Sequence, residues 1–232
     1  MNTIDVFCAG AVRSAFLVIN ADFEKKSGYK LNCTFGSTGS LQNKVSAGEK
    51  ADIVLLNRSS VEVLANSGFV IQESIVDIGH VGVGIAVHED ILSPDILTSD
   101  ALRKTLLAAK SISYGDPTNG DSSGIHFLKV IKKLGIEDEV RSKTVLAPMG
   151  LAVAELVADQ TVELGATQAT VILGTRGIKL VGLLPDDLQH ITTYALGTLV
   201  HAKSSKSVFE LLEHLQTAQA KTSFRNAGFR PD

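Results

Sequence analysis

Short apolar runs alternate with longer stretches of helical periodicity along the chain. Residues 4–9, apolar except for Asp5, read as a buried strand, and Val12, Phe16, Ile19 and Phe23 then recur at three- and four-residue spacing until Gly28, a natural helix stop. Residues 30–35 predict a second strand, followed by the small-residue turn Gly36-Ser37-Thr38-Gly39-Ser40. Leu41 and Val45 predict a short helix ending near Gly48. Residues 51–56 predict a third strand and residues 61–67 another short helix. From residue 81 to 87 glycine alternates with apolar, mostly β-branched residues, which suits a long strand crossing between lobes. Beyond it the pattern predicts a helix over 100–107, a strand over 111–114, a loop over 115–123 and a helix over 125–134 stopped by Gly135. Next come a helix over 150–158 and strands over 169–173 and 178–183. Residues 194–200 repeat the glycine-bearing crossing, and Val208, Leu211, Leu212 and Leu215 share one face of a final helix.

Strands alternating with helices predict an α/β fold with mainly parallel sheets. Two crossings imply two lobes, residues 1–80 with 196–232 and residues 81–195. With no Pro- or Ser-rich linker the lobes are joined by strands, so a hinge and a ligand cleft between lobes are expected. Composition narrows the function. Among 232 residues, 22 Lys and Arg face 25 Asp and Glu, a net charge of −3, which argues against binding nucleic acid. Aromatic residues are only 5 % and Trp is absent, leaving little material for a stacking platform. No run approaches about 18 apolar residues, so no membrane insertion is expected. Cys8 and Cys33 fit neither a metal pattern nor a disulfide framework, and buried free thiols are expected. The strand starting almost at Met1 places the chain in the cytoplasm, or in the periplasm if a signal peptide preceded it.

The candidate chemistry lies where strands end in small polar residues before a helix. A helix N-terminus carries N–H groups without intrahelical partners and a partial positive charge, which together suit an anion. Cys8-Ala9-Gly10-Ala11-Val12-Arg13-Ser14 is the first such stretch. Arg13 falls in a first helical turn, where the dipole disfavours a cation, so it is either a solvated surface residue or aimed at an anionic ligand. The second is the turn at 36–40, where Ser37 or Thr38 caps a helix or contacts ligand. The third, residues 116–124, runs Asp-Pro-Thr-Asn-Gly-Asp-Ser-Ser-Gly and opens the helix carrying His126. Ser122 and Ser123 can cap there, and the glycines would leave backbone accessible to a ligand. Gly174-Thr175-Arg176-Gly177 is a fourth, placed by the expected strand at 169–173 at a strand's carboxyl end. There is no G-x-x-x-x-G-K-[ST] motif and no G-x-G-x-x-G at a strand–helix junction, and the six histidines form no H-x-x-x-H pair. No cofactor and no metal are expected.

These loops, in this order, resemble the periplasmic molybdate-binding protein family along nearly the whole chain. The resemblance is carried by residues 4–11, 35–41 and 47–53, by Gly115-Asp116-Pro117 with Ser123-Gly124-Ile125, and by Ala227-Gly228-Phe229. It implies a two-lobed type II periplasmic-binding-protein-like fold with an oxyanion or other small anion in the cleft, and an ABC permease as partner. The family's first-loop serine is matched by Ala11, its second-loop serine by Thr38, its third-loop backbone contact by Ser123 and its later tyrosine by Leu173. Fewer neutral donors, with Arg13 and Arg176 nearby, suit a larger anion with several carboxylates. The departure is similar to the aconitate isomerase offshoot of the same fold, which moves a proton within an unsaturated tricarboxylate. On that reading Arg13, Arg176, Ser37, Thr38, Ser122 and Ser123 clamp the ligand, and Asp116, Asp121 or His126 carries the proton. Receptor and isomerase both remain open at this point.

Overall fold

A computed structural model describes residues 3–202 and 205–230. In chain order the elements are β1 (Thr3–Ala9), α1 (Arg13–Ser27), β2 (Lys30–Gly36), α2 (Thr38–Ser46), β3 (Ile53–Asn57), α3 (Arg58–Asn66), β4 (Val76–His88), α4 (Ser99–Ala108), β5 (Ile112–Gly115), α5 (Ser122–Lys133) and α6 (Glu137–Arg141). They continue as β6 (Thr144–Ala147), α7 (Gly150–Ala158), β7 (Leu164–Gln168), α8 (Ala169–Leu173), β8 (Ile178–Leu183), β9 (Ile191–Thr198), α9 (Ser205–Leu215) and α10 (Ala218–Asn226). A 3-10 turn, Gly10–Val12, joins β1 to α1, and another, Pro117–Asn119, precedes α5. The chain divides into two compact units. The first ends at Val81 and resumes at Thr192; the second is Gly82–Ile191.

In the first unit β2, β1 and β3 are parallel neighbours, with Ala9 paired to Gly36 and Cys8 to both Phe35 and Leu55. Parallel strands need helical crossovers. These are α1 and α2, whose apolar faces (Ala15, Phe16, Ile19 and Phe23; Leu41 and Val45) are buried. Gly28 ends α1 at φ +76°, a conformation that favours glycine. β9 enters without a helix of its own and pairs antiparallel to β3. The tail closes the unit: α10 packs on α1, and Phe229 meets Tyr194 and Phe224 edge-on. Cys8 and Cys33 are both free. The register sets Cys33 opposite Val6, so the two thiols are diagonal neighbours rather than a facing pair.

The second unit has β5 between β6 and β7, all parallel, and β4 antiparallel to both β7 and β8. Its core gathers Val83, Ile85, Leu102, Leu106, Phe127 and Ile131. One expected element changes type here. Residues 169–173 are the helix α8, and the strand is β7 just before it. The Val-Ile-Leu run attracts a strand reading, whereas β7 is Leu-Gly-Ala-Thr-Gln and gives little apolar signal despite being wholly buried. β6, α6 and α10 were not legible in the pattern.

Candidate functional site

In the first unit, the register of β1 with β2 brings two of the expected loops side by side. Ala9 and Gly36 end adjacent parallel strands, so the turn holding Ala11 and the start of α2 holding Ser37 and Thr38 are neighbours. Ala11 is buried within its 3-10 turn. Neither that turn nor α1 has a side-chain cap, whereas Ser37, Asn57, Thr98, Asp121 and Thr217 cap other helices. At this uncapped start stands Arg13. Its guanidinium lies 5.5 Å above the centre of the Phe35 ring on β2, half-buried and with no carboxylate partner among the described residues. Stacking on an aromatic face holds the cation while leaving the edge of the fork open.

The hydroxyls nearby have distinct duties. Ser37 is the N-cap of α2 and accepts from the Ser40 N–H at 3.2 Å, while the Ser40 hydroxyl donates to the Ser37 carbonyl. Thr38 is 4 % exposed and spends its hydroxyl on no protein partner among the described residues. Ser14, which sequence reasoning passes over, has a buried Oγ without a hydrogen-bond partner among the described residues, one residue beyond Arg13. A hydroxyl in a first helical turn was the available signal, but helix interiors often carry serine for no such reason. Burial also pushes the thiol of Cys8 well up, opposed by the Arg13 charge.

In the second unit β5, β6 and β7 end together, and α5, α7 and α8 start there. The centre of this junction is Asp121. Its Oδ1 accepts from the Gly124 N–H at 2.8 Å and the Ser123 hydroxyl at 2.6 Å, and its Oδ2 accepts from the Gly150 N–H at 3.0 Å. One carboxylate therefore caps α5 and ties it to the start of α7. Ser123 is buried with its hydroxyl committed to this tie, and Ser122 is half-buried in the first turn beside it. Their N–H groups are the first-turn donors that helix geometry leaves over. Thr167 and Thr170, at the end of β7 and the start of α8, are fully buried, and their hydroxyls have no hydrogen-bond partner among the described residues.

The glycines here serve packing. A Cβ on Gly124 would lie 1.7 Å from the Gly115 carbonyl oxygen, and one on Gly115 would lie 2.3 Å from the Asp121 carboxyl carbon. α5 sits on β5 only because both positions lack a side chain, a different role from the ligand access expected of them. Asp116 also closes its own turn: its Oδ1 accepts from the N–H and hydroxyl of Thr118 at 2.8 and 2.7 Å. His126 donates from Nε2 to the Leu188 carbonyl at 2.7 Å and lies against His190 with ring centres 5.2 Å apart. Burial lowers its pKa below the ordinary histidine value, only partly offset by that bond.

Arg176 stands apart from these groups. It is exposed in the turn between α8 and β8, and the neighbouring Gly177 lies by Ala158, the last residue of α7. The Asp121 tie is at the first residue of α7, about 12 Å away along the nine-residue helix axis. The expected position at a strand's carboxyl end is therefore corrected: α8 intervenes and carries the chain to the other end of the helix layer. Leu173 likewise ends α8, exposed, instead of following a strand. Among the described residues no group of three His, Cys, Asp or Glu could hold a metal ion.

The profile of the bacterial extracellular solute-binding proteins matches residues 4–230. The chain belongs to this family. As a member of the solute-binding proteins it is 27 % identical, over all of its length and 88 % of the relative's, to an aconitate isomerase of a Pseudomonas species. It is 23 % identical to the molybdate-binding protein ModA of Escherichia coli K12, over 97 % of this chain and 88 % of that one. The periplasmic molybdate-binding protein of Azotobacter vinelandii superposes with a TM-score of 0.84 over 99 % of both chains at 16 % identity, which establishes the shared type II α/β fold. No helix among the described residues is long and apolar enough to cross a membrane.

Proposed function

We propose that this solute-binding protein takes up a small organic anion with several carboxylates, gripped by the strand-end loops that carry Arg13 and Thr38. The observation that carries the reading is Arg13: a guanidinium over Phe35, at an uncapped helix start, without a carboxylate of its own. A cation there opposes the helix dipole and is repaid when an anion joins it. The Thr38 and Ser14 hydroxyls add neutral donors beside it. A bidentate arginine–carboxylate pair matches a planar fork to a planar acceptor, a match that a tetrahedral oxyanion bound by neutral donors does not need. An ABC permease as partner accords with the molybdate-binding relatives.

The test is calorimetric titration with trans-aconitate, citrate and molybdate. A tricarboxylate is expected to bind at least about tenfold more tightly than molybdate. Arg13→Ala should cost about 10- to 100-fold in that affinity, the value of a hydrogen bond to a charged group. Tighter binding of molybdate, or an unchanged tricarboxylate affinity in Arg13→Ala, would refute the reading.

One observation favours a second reading, the full-length similarity to a protein named as an aconitate isomerase. The reaction would remove a proton from the methylene carbon of trans-aconitate and return one at the other end of the allylic system, yielding cis-aconitate without any co-reactant. Asp116 is the best proton carrier of the three residues expected, because its Oδ2 forms no hydrogen bond among the described residues while both Asp121 oxygens hold helix starts and His126 is turned to Leu188. Proton NMR of trans-aconitate with catalytic amounts of protein decides. Growth of cis-aconitate signals that is lost in Asp116→Asn supports isomerisation, and a static spectrum leaves uptake alone.

A further inference from the structure

The first unit holds a concavity remote in sequence from the strand-end loops. Its volume is about 340 Å³, and it is walled by the start of β4, the end of α9, α10 and the segment at Phe229–Arg230. Leu215, Phe224 and Phe229 supply apolar lining, and Lys221, Arg225 and Arg230 supply positive charge. Among the described residues the lining has one carboxylate, Asp77, and it is already taken: its Oδ1 accepts from Arg58 Nη1 at 2.6 Å. None of the three lining cations forms a side-chain ion pair or hydrogen bond among the described residues. Lys221 and Arg225 are four residues apart on one helix face, where like charges repel, and α10 has no acidic residue to offset them. This excess is local, because the chain as a whole is net negative.

The walls are fixed in place. The Arg230 N–H donates to the His80 carbonyl and the His80 N–H to the Arg230 carbonyl, both at 2.9 Å. Phe229 is held edge-on by Phe224 and Tyr194. Gly79, at φ +141°, lets this segment close in, since a Cβ there would lie 2.9 Å from the Arg230 carbonyl oxygen. The pocket is at the lower end of small-molecule site volumes and larger than an inorganic ion would fill. Three cations call for a dianion with several acceptor oxygens, and the phenyl rings call for a hydrocarbon portion.

We propose that this pocket binds a phosphate monoester on an apolar body, the phosphate between Lys221, Arg225 and Arg230 and the body on Phe224 and Phe229. The probes are phenyl phosphate, inorganic phosphate, and phosphatidylcholine vesicles with or without phosphatidic acid. The variants are Lys221→Gln/Arg225→Gln, both exposed and so compatible with folding, and Arg13→Ala. Phenyl phosphate should shift the backbone amides of α10 and bind at least about tenfold more tightly than inorganic phosphate. The double variant should lose about tenfold or more, and Arg13→Ala should lose nothing, which separates this pocket from the strand-end loops. Binding of phenyl phosphate but not vesicles assigns the monoester to a free metabolite. Phosphatidic-acid-dependent vesicle binding lost in the double variant assigns it to a lipid. The proposal is overturned if neither phenyl phosphate at about 10 mM nor phosphatidic-acid vesicles bind, if the double variant binds phenyl phosphate and those vesicles unchanged, or if inorganic phosphate binds as tightly as phenyl phosphate.

Discussion

Four side chains carry most of what can be tested one residue at a time. Arg13 is held by the Phe35 ring in preference to an acid, so its loss should weaken anion binding without unfolding the chain. His126 is half-buried, and burial disfavours its charged form and lowers its pKa. A base with a lowered folded pKa binds fewer protons folded than unfolded, so stability is complete above the unfolded histidine pKa and declines as pH falls through and below it. The melting temperature is therefore expected to drop between about pH 7.5 and pH 5, and His126→Gln, which keeps a donor for the Leu188 carbonyl, should flatten that drop. The cysteines are expected to be inert. Burial lifts Cys33 to about 11 and Cys8 well above its usual value. At pH 8 only about one Cys33 in a thousand is then thiolate, so a disulfide-exchange reagent should react slowly with native protein and rapidly with both thiols in guanidinium.

Elements meet in the second unit through two devices, a pair of glycines and one carboxylate. Gly124→Ala would drive a methyl into the Gly115 carbonyl, where backbone cannot give way. A loss of about 3 kcal/mol, the upper end for overpacking, is expected in urea unfolding; a loss under about 1 kcal/mol would mean that α5 can move off β5. Asp121→Ala uncaps α5 and strands two buried N–H groups, again costing about 3 kcal/mol. Neither device was fully legible in the sequence. The 116–124 loop was recognised as important from its small and polar residues, but its glycines read equally well as ligand access or as close packing, and only the approach of two backbones separates these. Most strands and helices were legible because their apolar residues recur at the right period. The error at 169–173 arose because a short run with three β-branched residues, Thr170, Val171 and Ile172, satisfies a strand or a buried helical turn alike, and the true strand was disguised by Gly165, Ala166 and Thr167. Misplacing Arg176 followed directly from that error. In the first unit, the neighbouring of the loops that carry Arg13 and Thr38 was legible, because adjacent parallel strands bring successive strand-end loops together.

For the whole molecule, the family and the fold rest on matches along essentially the full chain, while the choice of ligand rests on a few side chains at strand ends. Ligand binding is expected to register globally. At a ligand concentration of one hundred times Kd, linkage adds about 2.7 kcal/mol, which for a chain of this size raises the melting temperature by about 5–10 °C. Scanning fluorimetry against small carboxylates and oxyanions would rank candidates on that scale. Asp121 carries a further consequence. Its carboxylate is, in chemical terms, a tethered formate, seated on two helix starts and a serine hydroxyl. Cutting the tether in Asp121→Gly should leave a carboxylate-shaped vacancy, so added formate ought to restore stability by chemical complementation while the larger benzoate should not. The second unit already carries its own counter-ion at the start of α5 and α7, and any anion arriving from solution competes only for the donors that Asp121 has left unused.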